Sequence, residues 1–294
     1  MTQADRLRRR EWMVLASPLV VFLLVFLGFP TVVDVVYSLS TVSFRTLRHP
    51  HLSGFANYAT VIADPGFWSA VWFSLRFGLV TATAECLLGL FLAIFLSPLI
   101  AKRSVLMAPL MLPLMVAPAM VGLMYRLVLH EFVGPVPYYL YMIFGNSPSF
   151  LDADTAFWTV CVVETLQWTP FAFLLFYAAY QAIPEQTREA AQLDGTSTWQ
   201  MLTLIELPLM VPTLVVAAFI RFIDGFRVFD NVYTLVGAGP GGSTASLSIY
   251  IYESFFKQDA IGKAVAASIL LFCASFLVLA GLSWAATRRK EARS

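Results

Sequence analysis

The sequence predicts an all-α membrane protein with six transmembrane helices, and three observations carry that prediction. Of the 294 residues, 59% are hydrophobic and only 13% charged, which is too apolar for a soluble domain of ordinary composition. The apolar residues gather in six long stretches, near 13 to 37, 70 to 97, 105 to 129, 156 to 181, 204 to 228 and 262 to 286. Each can cross a hydrocarbon core about 30 Å thick as a helix. The basic residues are divided unevenly between the two sets of loops that these spans leave. The whole chain, 1–294, reads as a single membrane domain with no length left for a second.

Taken in order, the first stretch follows Arg6, Arg8, Arg9 and Arg10 as a secretory signal would, but its apolar run outlasts a signal core and reads as a retained span. A loop over 38–69 leads to the second span. The third carries Pro109, Pro113 and Pro118, and prolines free backbone groups that a membrane tolerates only where protein or a polar cavity satisfies them. A kink is expected there. The fourth span follows a loop over 130–155. A polar island over 182–203 precedes the fifth span, and a glycine-rich loop over 229–261, read as flexible, precedes the sixth.

Six crossings put both termini on one side. With the termini in the cytoplasm, that side receives Arg6, Arg8, Arg9, Arg10, Lys102, Arg103, Arg188, Arg288, Arg289, Lys290 and Arg293. The longer outer loops hold only Arg45, Arg48, Arg227, Lys257 and Lys263. The positive-inside rule therefore places both ends, and the polar island, in the cytoplasm.

The island reads as a helical hairpin. Pro184 suits a helix start, and Glu185 and Glu189 sit near the positive end of its dipole. Gly195 is a natural stop, able to take φ > 0. Thr196 or Ser197 can then cap a second helix running through Trp199 toward Pro208. Ala190 and Ala191 leave one face flat enough for another protein to approach, with Leu193, Trp199 and Leu202 as apolar anchors; the alternative is an amphipathic loop on the membrane surface.

The residues Glu189-Ala190-Ala191, then Asp194-Gly195, then Ile205-Glu206-Leu207-Pro208 give the pattern E-A-A, three residues, Gly, nine residues, I-x-L-P. This resembles the cytoplasmic coupling loop of the membrane subunits of binding-protein-dependent ABC importers, here over about 182–208. The segment from Phe229 to Thr244 and the early Gly54-Phe-Ala-Asn-Tyr58 with Asp64-Pro-Gly-Phe-Trp68 are similar to stretches of the maltose-transporter class of sugar permeases. The likeness favours the half of the heterodimer that resembles the larger maltose permease, without that subunit's additional amino-terminal spans and outer domain.

The resemblance implies a type I importer permease fold with cytoplasmic coupling helices, in which Glu189, Ala190, Ala191, Asp194, Gly195, Ile205 and Pro208 belong to the ATPase-coupling element. It also implies a second permease subunit, two cytoplasmic ATPases and an extracytoplasmic solute-binding protein, in a bacterial or archaeal cytoplasmic membrane. Membrane lipid is the remaining partner and nucleic acid is not expected. The chain has no G-x-x-x-x-G-K-[ST] phosphate loop, so this subunit is expected to be non-catalytic. It should bind no cofactor itself, ATP and Mg being used by the partner ATPases.

Ionisable groups inside spans usually face a bundle interior or a wet cavity. Arg221, Asp224 and Arg227 are spaced by three with Asp230 continuing the row, and Asn231 and Tyr233 extend its polar end. They fit either a structural ladder of ion pairs or contact with a polar solute. Glu164, Gln167 and Trp168 share one stretch of the fourth span. Carboxylate, amide and indole together can hold sugar hydroxyls and cover an apolar sugar face, or clamp two helices together. Arg76, Glu85 and Arg126 read as structural.

Other signals are weak. Cys86, Cys161 and Cys273 lie in spans, where small packing residues are common, and His49, His51 and His130 lack ligand spacing, so neither a disulfide nor a metal site is expected. Gly237-Ala-Gly-Pro-Gly-Gly242 matches G-x-G-x-x-G, but it follows a span in place of a strand, and Pro240 removes an N–H that a phosphate cradle would use. The expected function is a permease subunit in an ATP-driven importer of a carbohydrate, with glycerol phosphate or another polar solute as the alternative. An ion-coupled secondary transporter is the competing class; it would need inverted repeats or broken helices at an ion site, and would leave the hairpin without a partner.

Overall fold

The computed structural model describes residues 15–291, so Arg6, Arg8, Arg9, Arg10 and Arg293 lie outside the described residues. Two compact units emerge. One consists of the described parts of Met1–Asp64 and Ile251–Ser294, the other of Pro65–Tyr250.

In the first unit, helix α1 (Leu15–Ser38) is long and apolar enough to cross a membrane, and none of its most apolar window is buried. A two-stranded antiparallel ribbon follows, β1 (Ser40–Thr41) and β2 (His51–Leu52), with Ser40 opposite Leu52. Helix α2 (Ala56–Ala63) comes next. Asn57 Nδ2 donates to the Ser38 and Ser40 carbonyls at 2.9 and 2.8 Å, satisfying backbone groups that the end of α1 would otherwise leave open. The last helix, α12 (Ile261–Glu291), is apolar over Ile261–Leu277 and packs on α1 and α2, with Val42, Ile261 and Val265 as a small core. Lys263 on α12 meets Asp64 at 2.7 Å.

The second unit is built on α3 (Pro65–Lys102) and α7 (Ala156–Gln181), with α9 (Thr198–Phe226) crossing α3. Pro65 opens α3, where its missing N–H is harmless. At the α3–α9 crossing, Gly78 faces Gly225 so closely that a Cβ on Gly225 would lie 2.9 Å from the Gly78 Cα. Small residues let membrane helices approach to backbone contact, and any larger residue here would push the spans apart. Phe73 and Phe77 from α3 and Phe157 and Val160 from α7 fill the core.

The expected kink is a break. Helix α4 (Ser104–Met115) and helix α5 (Pro118–Val128) meet at 87°. Val116 and Ala117 are extended between them, as the residue before a proline prefers, and Pro118 starts the new helix. Four helices are thus long and apolar enough to cross a membrane, or five with the bent pair taken as one, among the described residues.

The loops are more ordered than the sequence suggests. Helix α6 (Pro135–Phe144) occupies the segment read as an outer loop. The segment over 229–261, read as flexible, contains α10 (Asp230–Val236) and α11 (Leu247–Tyr252). Val232, Leu235, Leu247 and Ile249 from these helices are buried in the second unit. The glycines at 237, 239, 241 and 242 all take positive φ within a run of successive turns, which lets the apolar residues on either side fold back.

Candidate functional site: a buried polar network and a helical hairpin

The second unit carries two constellations. The first is centred on Arg221 of α9, which is 1% exposed. Its Nε lies 2.5 Å from Glu85 Oε2 on α3 and its Nη2 3.3 Å from Glu85 Oε1, so the guanidinium fork grips the carboxylate at two points. The same Nη2 reaches Glu164 Oε1 on α7 at 3.4 Å, and Nη1 reaches Asp224 Oδ2 at 3.3 Å. The guanidinium carbon also sits 4.5 Å from the Trp168 ring centroid, a cation–π arrangement. Burying the arginine is tolerable because its guanidinium is paired with and hydrogen-bonded to carboxylates.

From Glu164 the network continues through an amide. Asn231 Nδ2, at the start of α10, donates to Glu164 Oε2 at 2.5 Å and to Gln167 Oε1 at 2.9 Å. Gln167 Nε2 in turn donates to the Val116 carbonyl at 2.9 Å. That carbonyl is one that the α4–α5 break frees, so the polar group that a broken span must satisfy is satisfied from α7. Asn231 Oδ1 is buried without a hydrogen-bond partner among the described residues. Beside the break lies a cavity of about 390 Å³ lined by Leu112, Pro113, Val116, Val121, Met124, Tyr125, Leu166 and Gln167.

The residues proposed from sequence for the pathway therefore divide. Glu164, Gln167 and Asn231 are buried and joined to one another. Trp168 and Asp224 are half-buried at the network's edge, and Arg227 is exposed, paired with Asp224 at 2.9 Å. Tyr233 stacks on Phe229 at 5.0 Å. The row Arg221, Asp224, Arg227 does not run on to Asp230, because α9 ends at Phe226 and Asp230 opens a new helix. Sequence reasoning missed the Arg221–Glu85 pair. A signal existed: a lone glutamate in an apolar span requires a cation, and intramembrane arginines are few.

The second constellation is the hairpin. Helix α8 (Glu185–Leu193) follows Pro184 and ends at Gly195, which takes φ +75°. The Thr196 N–H donates to the Ala191 carbonyl at 3.1 Å and the Gly195 N–H to Gln192 at 3.0 Å, closing the last turn in a Schellman motif. Ser197 then caps α9 in a reciprocal box with Gln200, and α9 widens to π geometry over Leu202–Glu206 before running on as the fifth span. The outward face of the hairpin holds Glu189, Ala190, Asp194 and Gly195 with the anchors Leu193, 89% exposed, and Trp199, 72% exposed. Ala191 faces inward and is buried, Ile205 is half-buried and Pro208 is exposed. Among the described residues no group of His, Cys, Asp and Glu has metal-holding geometry.

The chain is similar to known proteins over most of its length. The family model described as binding-protein-dependent transport system inner membrane component matches residues 85–290. The trehalose/maltose transport system permease protein MalF of Thermococcus litoralis is 33% identical over 229 residues, 77% of this chain and 77% of that protein. The trehalose transport system permease protein SugA of Mycobacterium tuberculosis is 30% identical over 268 residues, 90% of this chain and 84% of its own. Among solved structures, a chain of a bacterial ABC transporter involved in the import of the acidic polysaccharide alginate superposes with a TM-score of 0.82 at 22% identity. That match covers 98% of this chain and 99% of the other, which extends the shared fold to nearly the whole length.

Proposed function

Because the chain belongs to the family of inner membrane components of binding-protein-dependent transport systems, we propose that it is a permease subunit of an ATP-driven importer for a carbohydrate. The observation that carries this reading is the hairpin. Its capped turn presents an exposed face holding Glu189, Ala190, Gly195, Leu193 and Trp199, and its second arm continues without interruption into a membrane-spanning helix. A partner that seats on this face can move a span directly. The carbohydrate assignment is supported by the relatives named for trehalose and maltose transport.

In this reading the chain works as one membrane domain of six spans, α12 serving as the sixth, with both termini and the hairpin in the cytoplasm. A second permease completes the pathway. Two cytoplasmic ATPases hydrolyse ATP with Mg, this chain binding no cofactor, and an extracytoplasmic binding protein delivers the solute. Trp168, Asp224 and Arg227, at the open edge of the buried network, offer an aromatic face with charged hydrogen-bonding groups beside it, the combination that a sugar ring and its hydroxyls require. Glu164, Gln167, Asn231 and Tyr233 stand behind or beside that edge.

The test is reconstitution of the chain with its partner subunits in liposomes, with ATP-dependent uptake of trehalose and maltose measured beside glycerol phosphate. Uptake of a disaccharide, reduced by Trp168→Ala with the complex intact, is the expected result. Uptake of glycerol phosphate alone would overturn the carbohydrate assignment, and failure of any ATPase to co-purify would overturn the importer reading.

A further inference from the structure

The hairpin has two soft joints. One is the interruption between the end of α7 at Gln181 and the start of α8, where Pro184 is extended at φ −59° and ψ 134°. The other is Gly195 in the left-handed region. A force applied to α8 could swing the helix about these joints without moving either span. Beyond the second joint, α9 passes through the π-helical turn Leu202–Glu206, whose wider hydrogen bonding departs from the regular helix just where it enters the fifth span.

One side chain closes across both joints. Arg188, midway along α8, donates from Nε to Glu206 Oε1 at 2.9 Å, at the last residue of the π turn. Its Nη2 donates to the Tyr180 carbonyl at 3.0 Å, in the last turn of α7, and its guanidinium lies 4.4 Å from the Tyr180 ring centroid. Glu206 is buried, so without Arg188 its carboxylate would lose its cation in a site from which water is largely excluded. The guanidinium suits this work: it is planar, carries several donors in a fixed fork and stacks on an aromatic ring, and a lysine cannot make these contacts together.

We infer that Arg188 is a positioning residue that clasps α8 to the ends of both neighbouring spans, so that movement imposed on the hairpin is passed to α7 and α9 together and is not absorbed at Pro184 and Gly195. The inference rests on the hairpin being the ATPase-docking element. Arg188 itself does not face the partner: its guanidinium points back at Tyr180 and Glu206, while the docking anchors Leu193 and Trp199 point out. The function of the clasp is stiffness in transmission. Its loss should separate ATP hydrolysis from solute movement while leaving the hairpin able to bind.

The experiment compares Arg188→Gln, Glu206→Gln, the double variant and Arg188→Lys, each purified with the partner permease and ATPases and reconstituted in liposomes. ATP hydrolysis and trehalose uptake are measured in the same vesicles. Each single glutamine variant should retain the ATPases and raise the ATP hydrolysed per trehalose imported several-fold. The double variant should be no worse than the more affected single, since both remove one shared contact. Arg188→Lys should recover part of the coupling, through charge on Glu206 alone. A wild-type ratio in Arg188→Gln overturns the inference, as does loss of the ATPases from the single variants, which would make the pair a folding contact. Failure of the wild-type complex to hold an ATPase would instead overturn the docking assignment on which the inference stands.

Discussion

Arg221 and Glu85, 136 residues apart in sequence, meet through two contacts at 2.5 and 3.3 Å in a part of the protein where neither side chain is more than 1% exposed. This pair ties α9 to α3, and through Glu164 and Asn231 the same charge reaches α7 and α10. The network around Arg221 is therefore one connected object spanning four helices. Its members respond to substitution according to what each leaves behind.

Arg221→Met removes the cation and leaves Glu85 and Glu164 buried, a situation that costs about 3–5 kcal/mol. Glu85→Gln keeps a hydrogen-bond acceptor for the guanidinium, and Glu164 and Asp224 still balance its charge, so the loss should be much smaller. Thermal melting of the purified complex orders the two; equal melting temperatures would contradict the central place of Arg221.

Gln167→Ala deprives the Val116 carbonyl at the α4–α5 break of its side-chain partner and the Asn231 amide of one of its two acceptors. A buried polar group left unsatisfied costs about 1–3 kcal/mol. Stability should fall by that order with the subunits still assembled, and solute occupancy should fall as the break loosens beside the cavity. Solute binding to the assembled variant, measured beside its thermal stability, separates a pathway role from a helix clamp: lowered stability with unchanged binding leaves only the clamp.

Gly195→Val forces a β-branched residue into φ +75°, a region that costs L-residues about 1–2 kcal/mol or more, and opens the Schellman turn. The exposed face of the hairpin then loses its shape while the spans remain. Membrane insertion should be normal, with ATPase co-purification and uptake both reduced. Retention of both would remove the hairpin from the coupling route.

Topology is testable with single cysteines in a background lacking Cys86, Cys161 and Cys273. A cysteine at Thr196 should be protected from an impermeant thiol reagent in intact cells, and one at Ser243 should be labelled. The reverse pattern would invert the orientation and with it the direction of transport.

Much of the hairpin is legible in the sequence. Its signals are local: an acidic first turn, a glycine stop, a serine cap and the spacing to Pro208 all act within a few residues of chain. A kink in the third span was legible for the same reason, since proline removes a donor wherever it stands, but its extent as an 87° break was not. Ala191 shows the limit. Its membership of the motif was plain, but its inward orientation depends on how α8 lies against its neighbours.

The sequence by itself determined the membrane character of the chain, the position of its long apolar helices, the placement of the breaks and the hairpin, because hydrophobicity, proline and glycine act on the nearest turns of backbone. Tertiary structure alone decided that Glu85 belongs to Arg221, that Gln167 satisfies the carbonyl that the break exposes, and that the helices on either side of the glycine-rich turns after residue 236 pack into the second unit. The physical reason is that a buried charge or an open carbonyl requires a partner without specifying which. The choice among distant candidates is made by helix packing, and close crossings such as Gly78 against Gly225 bring the chosen side chains within reach.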